Sequence, residues 1–263
     1  MDTLPMAAVA SAAEKILRAD ILLVAVGAGF SGTIMCRNVI GLNLPFLDIA
    51  DVLAYHQLGV DYQDLCDPYW IYDDISIFLG FWGESFNQYR NTTPHAGYDI
   101  LKRWKQRLTC QLIKDKLANN NPTNTTTSPF FVFTSNVDSH CTRVFAKNEV
   151  YDVHGNTDDR YHAWEDAVED VLQQHPSKRL VVLEIGCGTR VETVRENNEE
   201  LVQAVLESGG QATLIRVNPE VEDEDDSELS YPHLLSIHAT GLATLQAIDH
   251  VIQSGLVAIP PCN

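Results

Sequence analysis

The chain has 263 residues and a formal net charge of −18, with 36 Asp and Glu against 18 Lys and Arg. Its hydrophobic share of 45% and charged share of 21% are typical of a globular protein and exclude a disordered chain. The negative charge disfavours nucleic acid and anionic membranes as partners, because phosphate groups bind Lys and Arg. A basic partner surface, such as a lysine-rich tail, is a better electrostatic match.

Short apolar runs alternate with helical patterns along the chain, which predicts a parallel sheet with helices on both faces. The predicted helices are residues 7–17, 95–116 and 192–207, and the predicted strands are residues 21–26, 130–134, 180–185 and 212–217. Residues 32–93 are irregular and rich in aromatic side chains, which predicts a helical insertion. We therefore predict an α/β fold of the Rossmann-like type.

The first predicted strand runs directly into Gly27-Ala28-Gly29-Phe30-Ser31. Glycines at this position allow the backbone to approach a pyrophosphate, whose charge the N-terminus of the next helix then stabilises. A tight turn without any ligand is an equally good interpretation of this motif by itself.

The second predicted strand ends in the polar cluster Ser135-Asn136-Val137-Asp138. Asn and Asp at the end of a strand can hydrogen-bond a ribose hydroxyl, an amide or a water molecule. The alternative is a turn that is held by hydrogen bonds from the Asn and Asp side chains to the backbone.

His154 follows an alternating pattern that predicts the edge of a sheet, and Gly155 comes next. An imidazole whose unperturbed pKa is near ~6.5 suits general-base chemistry at neutral pH. A single histidine is more often structural or simply exposed. The last two predicted strands end in Gly186-Cys187-Gly188 and in Asn218-Pro219.

In their order along the chain, the motifs G-A-G-x-S, T-x-N-x-D, H-G-N, a glycine-rich strand end and N-P-E resemble the sirtuin (Sir2) family of NAD-dependent protein deacylases. The resemblance covers roughly residues 21–217 and implies one NAD-binding domain over residues 1–263. It implies that Asn136 and Asp138 line the nicotinamide and ribose pocket and that His154 is the general base. The residues it assigns to cofactor binding are Gly27, Ala28, Gly29, Ser31, Ser135, Val137, Gly186, Cys187, Gly188 and Asn218.

Three departures from the family pattern stand out. The family carries two C-x-x-C pairs that bind zinc after the H-G motif, whereas residues 155–180 contain no cysteine, so we expect a reduced or absent zinc lobe with a remnant at residues 155–178. Residues 33–40 are an extra stretch, and Leu47 stands at the position of a family arginine that holds NAD. Ser135 replaces the family's glutamine.

The function implied is an NAD-dependent deacylase that acts on acylated lysine peptides or proteins, or a relative that hydrolyses NAD or transfers ADP-ribose. The alternatives are a catalytically silent protein that binds NAD or ADP-ribose, and a structural protein that reuses the fold. No metal site is expected. The scattered cysteines favour reduced thiols, hence an intracellular protein in the cytoplasm or nucleus, and no apolar stretch has the ~20 residues of a membrane span. An acidic run at residues 220–228 is either a solvated loop or an attractant for basic peptides.

Overall fold

The structure is a computed structural model that describes residues 4–35, 53–60, 62–108, 115, 128–155, 160–188, 193–219, 227 and 229–256. Within these ranges six parallel strands form one sheet in the order β3-β2-β1-β4-β5-β6. The strands are β1 (Ile21–Val26), β2 (Phe130–Thr134), β3 (Val150–Asp152), β4 (Arg179–Ile185), β5 (Gln211–Val217) and β6 (Leu234–Ile237). The predicted α/β fold with a Rossmann-like parallel sheet is confirmed.

Helices precede, connect and follow these strands. In chain order they are α1 (Met6–Arg18), α2 (Ala28–Met35), α3 (Leu53–Leu58), α4 (Tyr62–Cys66), α5 (Trp70–Asp73), α6 (Ile75–Asn91), α7 (Ala96–Lys105), α8 (His140–Val144), α9 (Arg160–Gln174), α10 (Thr193–Glu207) and α11 (Gly241–Gln253). Among the described residues, no helix is both long and apolar enough to span a bilayer.

The helices bury both faces of the sheet, which explains why the central strands are continuous apolar runs. Alternate residues of β1 enter opposite cores: Leu22 and Val24 pack with α1, α7 and α11, whereas Leu23 and Ala25 pack with α9 and α10. All six residues of β1 are buried. A strand that is apolar on both faces needs a helical layer on each side to shield it from water.

Several segments differ from the sequence-based expectations or extend them. The helix predicted over residues 95–116 ends at Lys105, because Gln106 and Arg107 form a turn, and residues 109–114 and 116–127 lie outside the described ranges. Strand β6 was not predicted, since it has only four residues. The interval expected to hold a remnant zinc lobe contains α9, whose Trp164 is fully buried against the sheet.

The irregular interval at residues 32–93 is largely helical where it is described, with four helices between Leu53 and Asn91 that are joined by short turns. Residues 36–52, which hold most of the extra stretch and Leu47, lie outside the described residues. So do residues 220–226 and 228 of the acidic run.

The strand order defines where a ligand fits best. The chain builds β1, β2 and β3 outward on one side, then crosses to the other side of β1 for β4, β5 and β6. In open parallel sheets of this kind, ligands bind outside the carboxyl ends of the strands at the point where the order reverses. That point lies between β1 and β4.

Candidate functional site

Two glycine-containing loops meet at the carboxyl ends of β1 and β4. The Gly27 N–H donates to the Ile185 carbonyl at 3.0 Å, and the Gly29 N–H donates to the Gly186 carbonyl at 3.0 Å. A Cβ on Gly27 would lie 2.6 Å from the Gly186 oxygen, and a Cβ on Gly186 would lie 2.5 Å from the Gly29 carbonyl carbon. Backbone therefore packs directly on backbone. We call Gly27, Gly29 and Gly186 the glycine junction.

Helix α2 begins at Ala28, immediately after this junction, and Ala28 and Gly29 are exposed. The first N–H groups of a helix have no intrahelical partner, and the helix dipole favours negative charge there. Two of these groups are used within the protein, since Gly29 donates to Gly186 and Phe30 donates to the Gly27 carbonyl at 3.0 Å. The exposed start of α2 thus suits an anion at its surface, rather than one wrapped by the whole loop.

Cys187 belongs to the second loop, but its side chain points into the core. Its Sγ lies 4.0 Å from the Ala25 carbonyl oxygen, and the residue is 3% exposed. Burial raises the pKa of this thiol well above its ordinary value, so it stays neutral and unreactive. Only the backbone of Cys187 can face a ligand, and the half-buried Gly188 follows it.

Asn218, at the end of β5, supports the same loop from the other side. Its Nδ2 donates to the Cys187 carbonyl at 3.2 Å, and its backbone N–H donates to the Ile237 carbonyl at 3.2 Å. The residue is 8% exposed. Asn218 therefore fixes the position of the loop after β4.

Asp138, at the end of β2, joins two parts of the site. Its Oδ2 accepts a hydrogen bond from the Ser31 hydroxyl of α2 and lies 3.2 Å from His140 Nδ1, while its Oδ1 accepts from the His140 N–H at 2.8 Å. Burial by itself raises the pKa of Asp138, but the contacts with His140 and Ser31 outweigh burial and lower it. The carboxylate is therefore ionised and serves to position its neighbours.

Asn136 lies in the same cluster, but its side-chain amide is unpaired in the part of the chain that the structure describes. It is 4% exposed, and neither its Nδ2 nor its Oδ1 has a hydrogen-bond partner among the described residues. Its backbone N–H donates to Thr134 Oγ1 at 3.0 Å, which holds the residue in place. Each buried polar group without a partner costs about 1–3 kcal/mol. A buried amide of this kind can hydrogen-bond a ligand or a water molecule.

His154 follows β3, the strand that pairs with β2. Thr134 pairs with Asp152 across the two strands, the Val153 N–H donates to the Thr134 carbonyl at 3.1 Å, and the His154 N–H donates to Asp152 Oδ1 at 3.0 Å. His154 is exposed in the turn after β3. Its imidazole is thus accessible at the same edge of the sheet as Asn136.

The helical insertion packs onto this polar cluster through Val137. This side chain contacts a small hydrophobic cluster formed by Leu65, Phe81 and Tyr89 of α4 and α6. Burial and the nearby Asp138 charge raise the pKa of Tyr89 to about 12. Ser135, which follows β2 directly, is half-buried.

Two residues that sequence reasoning missed fasten the insertion to the site. Arg143 of α8 donates to the carbonyls of Thr92 at 3.0 Å and Tyr89 at 3.2 Å, at the C-terminal end of α6. The Thr92 hydroxyl lies 3.2 Å from His140 Nε2. His140 therefore links Asp138 to the insertion. The sequence signal for the role of His140 was its position two residues after Asp138.

A buried ionic group lies beneath the carboxyl ends of β4 and β5. Glu184 accepts hydrogen bonds from Arg216 Nε at 2.7 Å and from Asn198 Nδ2 at 2.9 Å, and Arg216 also donates to Glu199 at 2.5 Å. This group fixes the N-terminal half of α10 under the loop that carries Gly186. Across the described ranges, no cluster of three or more His, Cys, Asp or Glu is arranged to hold a metal ion.

Ser139, between Asp138 and His140, has φ of +60°, a region that side chains disfavour. We expect Ser139→Gly to raise the free energy of unfolding by about 0.5–1 kcal/mol, measured by urea denaturation, because glycine adopts this conformation without strain. Ser139→Ala is the matched control, since it removes the exposed hydroxyl and keeps Cβ. Equal stability changes in the two variants would contradict the strain interpretation.

Comparison with known proteins leaves the site to be interpreted from its own geometry. No protein-family model matches the chain, and a search of the curated proteins finds no match either.

Proposed function

We propose that this chain binds NAD at the carboxyl ends of β1, β2 and β4 and is a sirtuin-type deacylase, which releases nicotinamide and passes an acyl group from lysine to ADP-ribose. The observation that carries the proposal is the amide of Asn136, which is buried and has no partner among the residues that the structure describes. A primary amide offers two donors and one acceptor oxygen, so it is complementary to another primary amide. Nicotinamide carries that group.

The other residues of the edge fit the remaining parts of NAD. The exposed start of α2 at Ala28 suits the pyrophosphate, and the loop that Asn218 supports suits the adenosine half. Asp138, through Ser31 and His140, holds the polypeptide around the nicotinamide end in one arrangement. Bound NAD would supply the glycosidic bond whose cleavage releases nicotinamide.

His154 is the residue that distinguishes an enzyme from a binding protein. Its exposed imidazole, at the edge that holds Asn136, can accept a proton from a ribose hydroxyl during acyl transfer. A catalytically silent NAD or ADP-ribose binder is the second candidate. Leu47 at the position of the family arginine, and the cysteine-free interval 155–180, favour that candidate.

The test is nicotinamide release from NAD by the purified chain, with and without an acetyl-lysine peptide. Release that depends on the peptide supports the deacylase. Release without peptide identifies NAD hydrolysis or ADP-ribosyl transfer instead. NAD-dependent thermal stabilisation without release identifies the silent binder, because a ligand of the folded state raises stability by mass action. If NAD causes no thermal stabilisation and no nicotinamide is released, the proposed NAD site is refuted.

Asn136→Leu separates ligand binding from stability. Without ligand, we expect the free energy of unfolding of the variant to be about 1–2 kcal/mol higher than that of the wild type, because the variant no longer buries two unpaired polar groups. The same variant is expected to lose the rise in melting temperature that NAD produces. Both are measured by differential scanning calorimetry with and without NAD.

Gln173→Leu is the control for this experiment, since it removes an exposed amide from α9. It is expected to keep the NAD-dependent rise. A less stable Asn136→Leu variant, or one that still responds to NAD, would contradict the role assigned to this amide.

A further inference from the structure

The outer surface of the helical insertion exposes large apolar side chains. In α6, Ile75 is 53% exposed, Leu79 60% and Phe86 63%, and Tyr72 of the preceding helix is 87% exposed. Single exposed apolar residues are ordinary, whereas a contiguous group of this kind marks a surface that binds another molecule.

The exposed apolar side chains of α6 share one side of that helix. Ile75, Leu79, Trp82 and Phe86 are spaced by four, three and four residues, which places them in a line along α6. We call these four residues the apolar stripe. The buried side of the same helix carries Phe81 and contacts the insertion's own hydrophobic cluster. Ile75, Leu79 and Phe86 are therefore not needed to attach α6 to the protein, whereas Trp82 also contacts this cluster.

The middle of the stripe is held firmly. The ring of Trp82 is half-buried and packs edge-on against Phe81, with 5.2 Å between the ring centroids. Arg143 caps the C-terminal end of α6 through the carbonyls of Tyr89 and Thr92. A surface that is already fixed loses little conformational entropy when a partner binds.

The charges near the stripe are mostly acidic. Residues 53–91 contain six acidic residues and Arg90 as their single Lys or Arg. Asp73 and Asp74 lie exposed at the N-terminal end of α6, next to Ile75, whereas Arg90 lies exposed near its C-terminal end. Asp74 also accepts a hydrogen bond from the Ser76 N–H at 2.9 Å, as expected at the start of a helix.

We propose that the apolar stripe is the docking site for a basic amphipathic helix of a partner protein. The partner's apolar residues would pack on Ile75, Leu79 and Phe86, and its Lys or Arg side chains would face Asp73 and Asp74. This pairing buries the apolar surface and matches opposite charges. The proposal does not depend on NAD binding.

Charge also decides against two other occupants. A second copy of the chain would bring two acidic surfaces together, in molecules that each carry −18. An anionic membrane would meet the same repulsion. A basic helix is the occupant for which both the apolar and the charged parts of the surface are favourable.

The experiment measures binding of a fluorescent amphipathic peptide of leucine and lysine by anisotropy, beside the same peptide with glutamate for lysine. We expect the wild-type chain to bind only the lysine peptide. The triple variant Ile75→Ser, Leu79→Ser, Phe86→Ser is expected to bind it about tenfold or more weakly. Circular dichroism checks that this variant is folded, and Trp82 is left in place because it is half-buried.

A charge-matched pair of variants tests whether binding is specific. Asp73→Asn with Asp74→Asn removes two charges at the N-terminal end of the stripe, and Glu196→Gln with Glu200→Gln removes two exposed charges from α10. We expect the first pair to weaken binding several-fold more than the second.

Equal binding by the wild type and the triple variant, or equal effects of the two charge pairs, would overturn the proposal in favour of unspecific attraction. Sedimentation of the wild type as a dimer that the triple variant abolishes would assign the stripe to a second copy. Binding of zwitterionic phosphatidylcholine vesicles that the triple variant abolishes would assign it to a membrane surface. Either result would also refute a basic protein partner.

Discussion

His154→Ala is expected to lower the steady-state rate of acetyl-lysine peptide deacetylation by about 10²–10⁴-fold, the contribution typical of a general base. Its imidazole lies exposed in the turn after β3, so its removal disturbs no packing. We therefore expect unchanged stability and an unchanged NAD-dependent thermal shift. Formation of deacetylated peptide is followed by mass spectrometry, together with the melting temperature with and without NAD.

His238→Ala is the matched control for this prediction. His238 is also exposed and follows β6 at the same edge of the sheet, but at its far end. An equal loss of rate in both variants, or no loss in His154→Ala, would remove His154 from the reaction. A loss of NAD response in His154→Ala alone would make it a binding residue.

Gly186→Ala is expected to lower the free energy of unfolding by at least about 3 kcal/mol. Two effects add at this position. The residue has φ of +65°, which strains any residue with a Cβ, and that Cβ would lie 2.5 Å from the Phe30 nitrogen. The contact is backbone against backbone, so no side-chain rotation relieves it. Urea denaturation gives the change in stability.

Two other glycines separate these effects. Gly59 has φ of +70° but open space around its Cβ position, so Gly59→Ala measures strain alone, which we expect to cost about 1–2 kcal/mol. Gly188 has open space and no positive φ, so Gly188→Ala is expected to change stability by less than about 0.5 kcal/mol. A Gly186→Ala variant no less stable than Gly59→Ala would show that the two loops separate easily.

The sheet was predictable because its central strands are buried on both faces. Residues 21–26 and 130–134 are uninterrupted apolar runs, and their observed bounds are the predicted ones. Strand β6 escaped prediction because three of its four residues are half-buried and the segment is short. Helix α9 escaped it because its interval was interpreted by family resemblance rather than by its own pattern, in which Tyr161, Trp164, Val168 and Leu172 lie on one side.

The candidate site was predictable in position but not in its internal contacts. Ends of parallel strands must meet at one edge, so Gly27, Asn136, Gly186 and Asn218 were expected near each other. The hydrogen bond between Ser31 and Asp138 joins residues 107 positions apart, and no local pattern reveals it. Nor does sequence show that the Asn136 amide is enclosed without a partner, since that depends on the burial of every neighbour.

The glycine junction also limits how this site can be altered by protein engineering. Gly27, Gly29 and Gly186 each occupy space that the other loop's backbone already fills, so none can be exchanged singly and a compensating change would have to move a whole strand end. Ligand preference must therefore be tuned at positions beside the junction. Ala28, which is exposed, and Gly188, which has open space, are where a library of substitutions can vary the proposed site while the sheet stays closed.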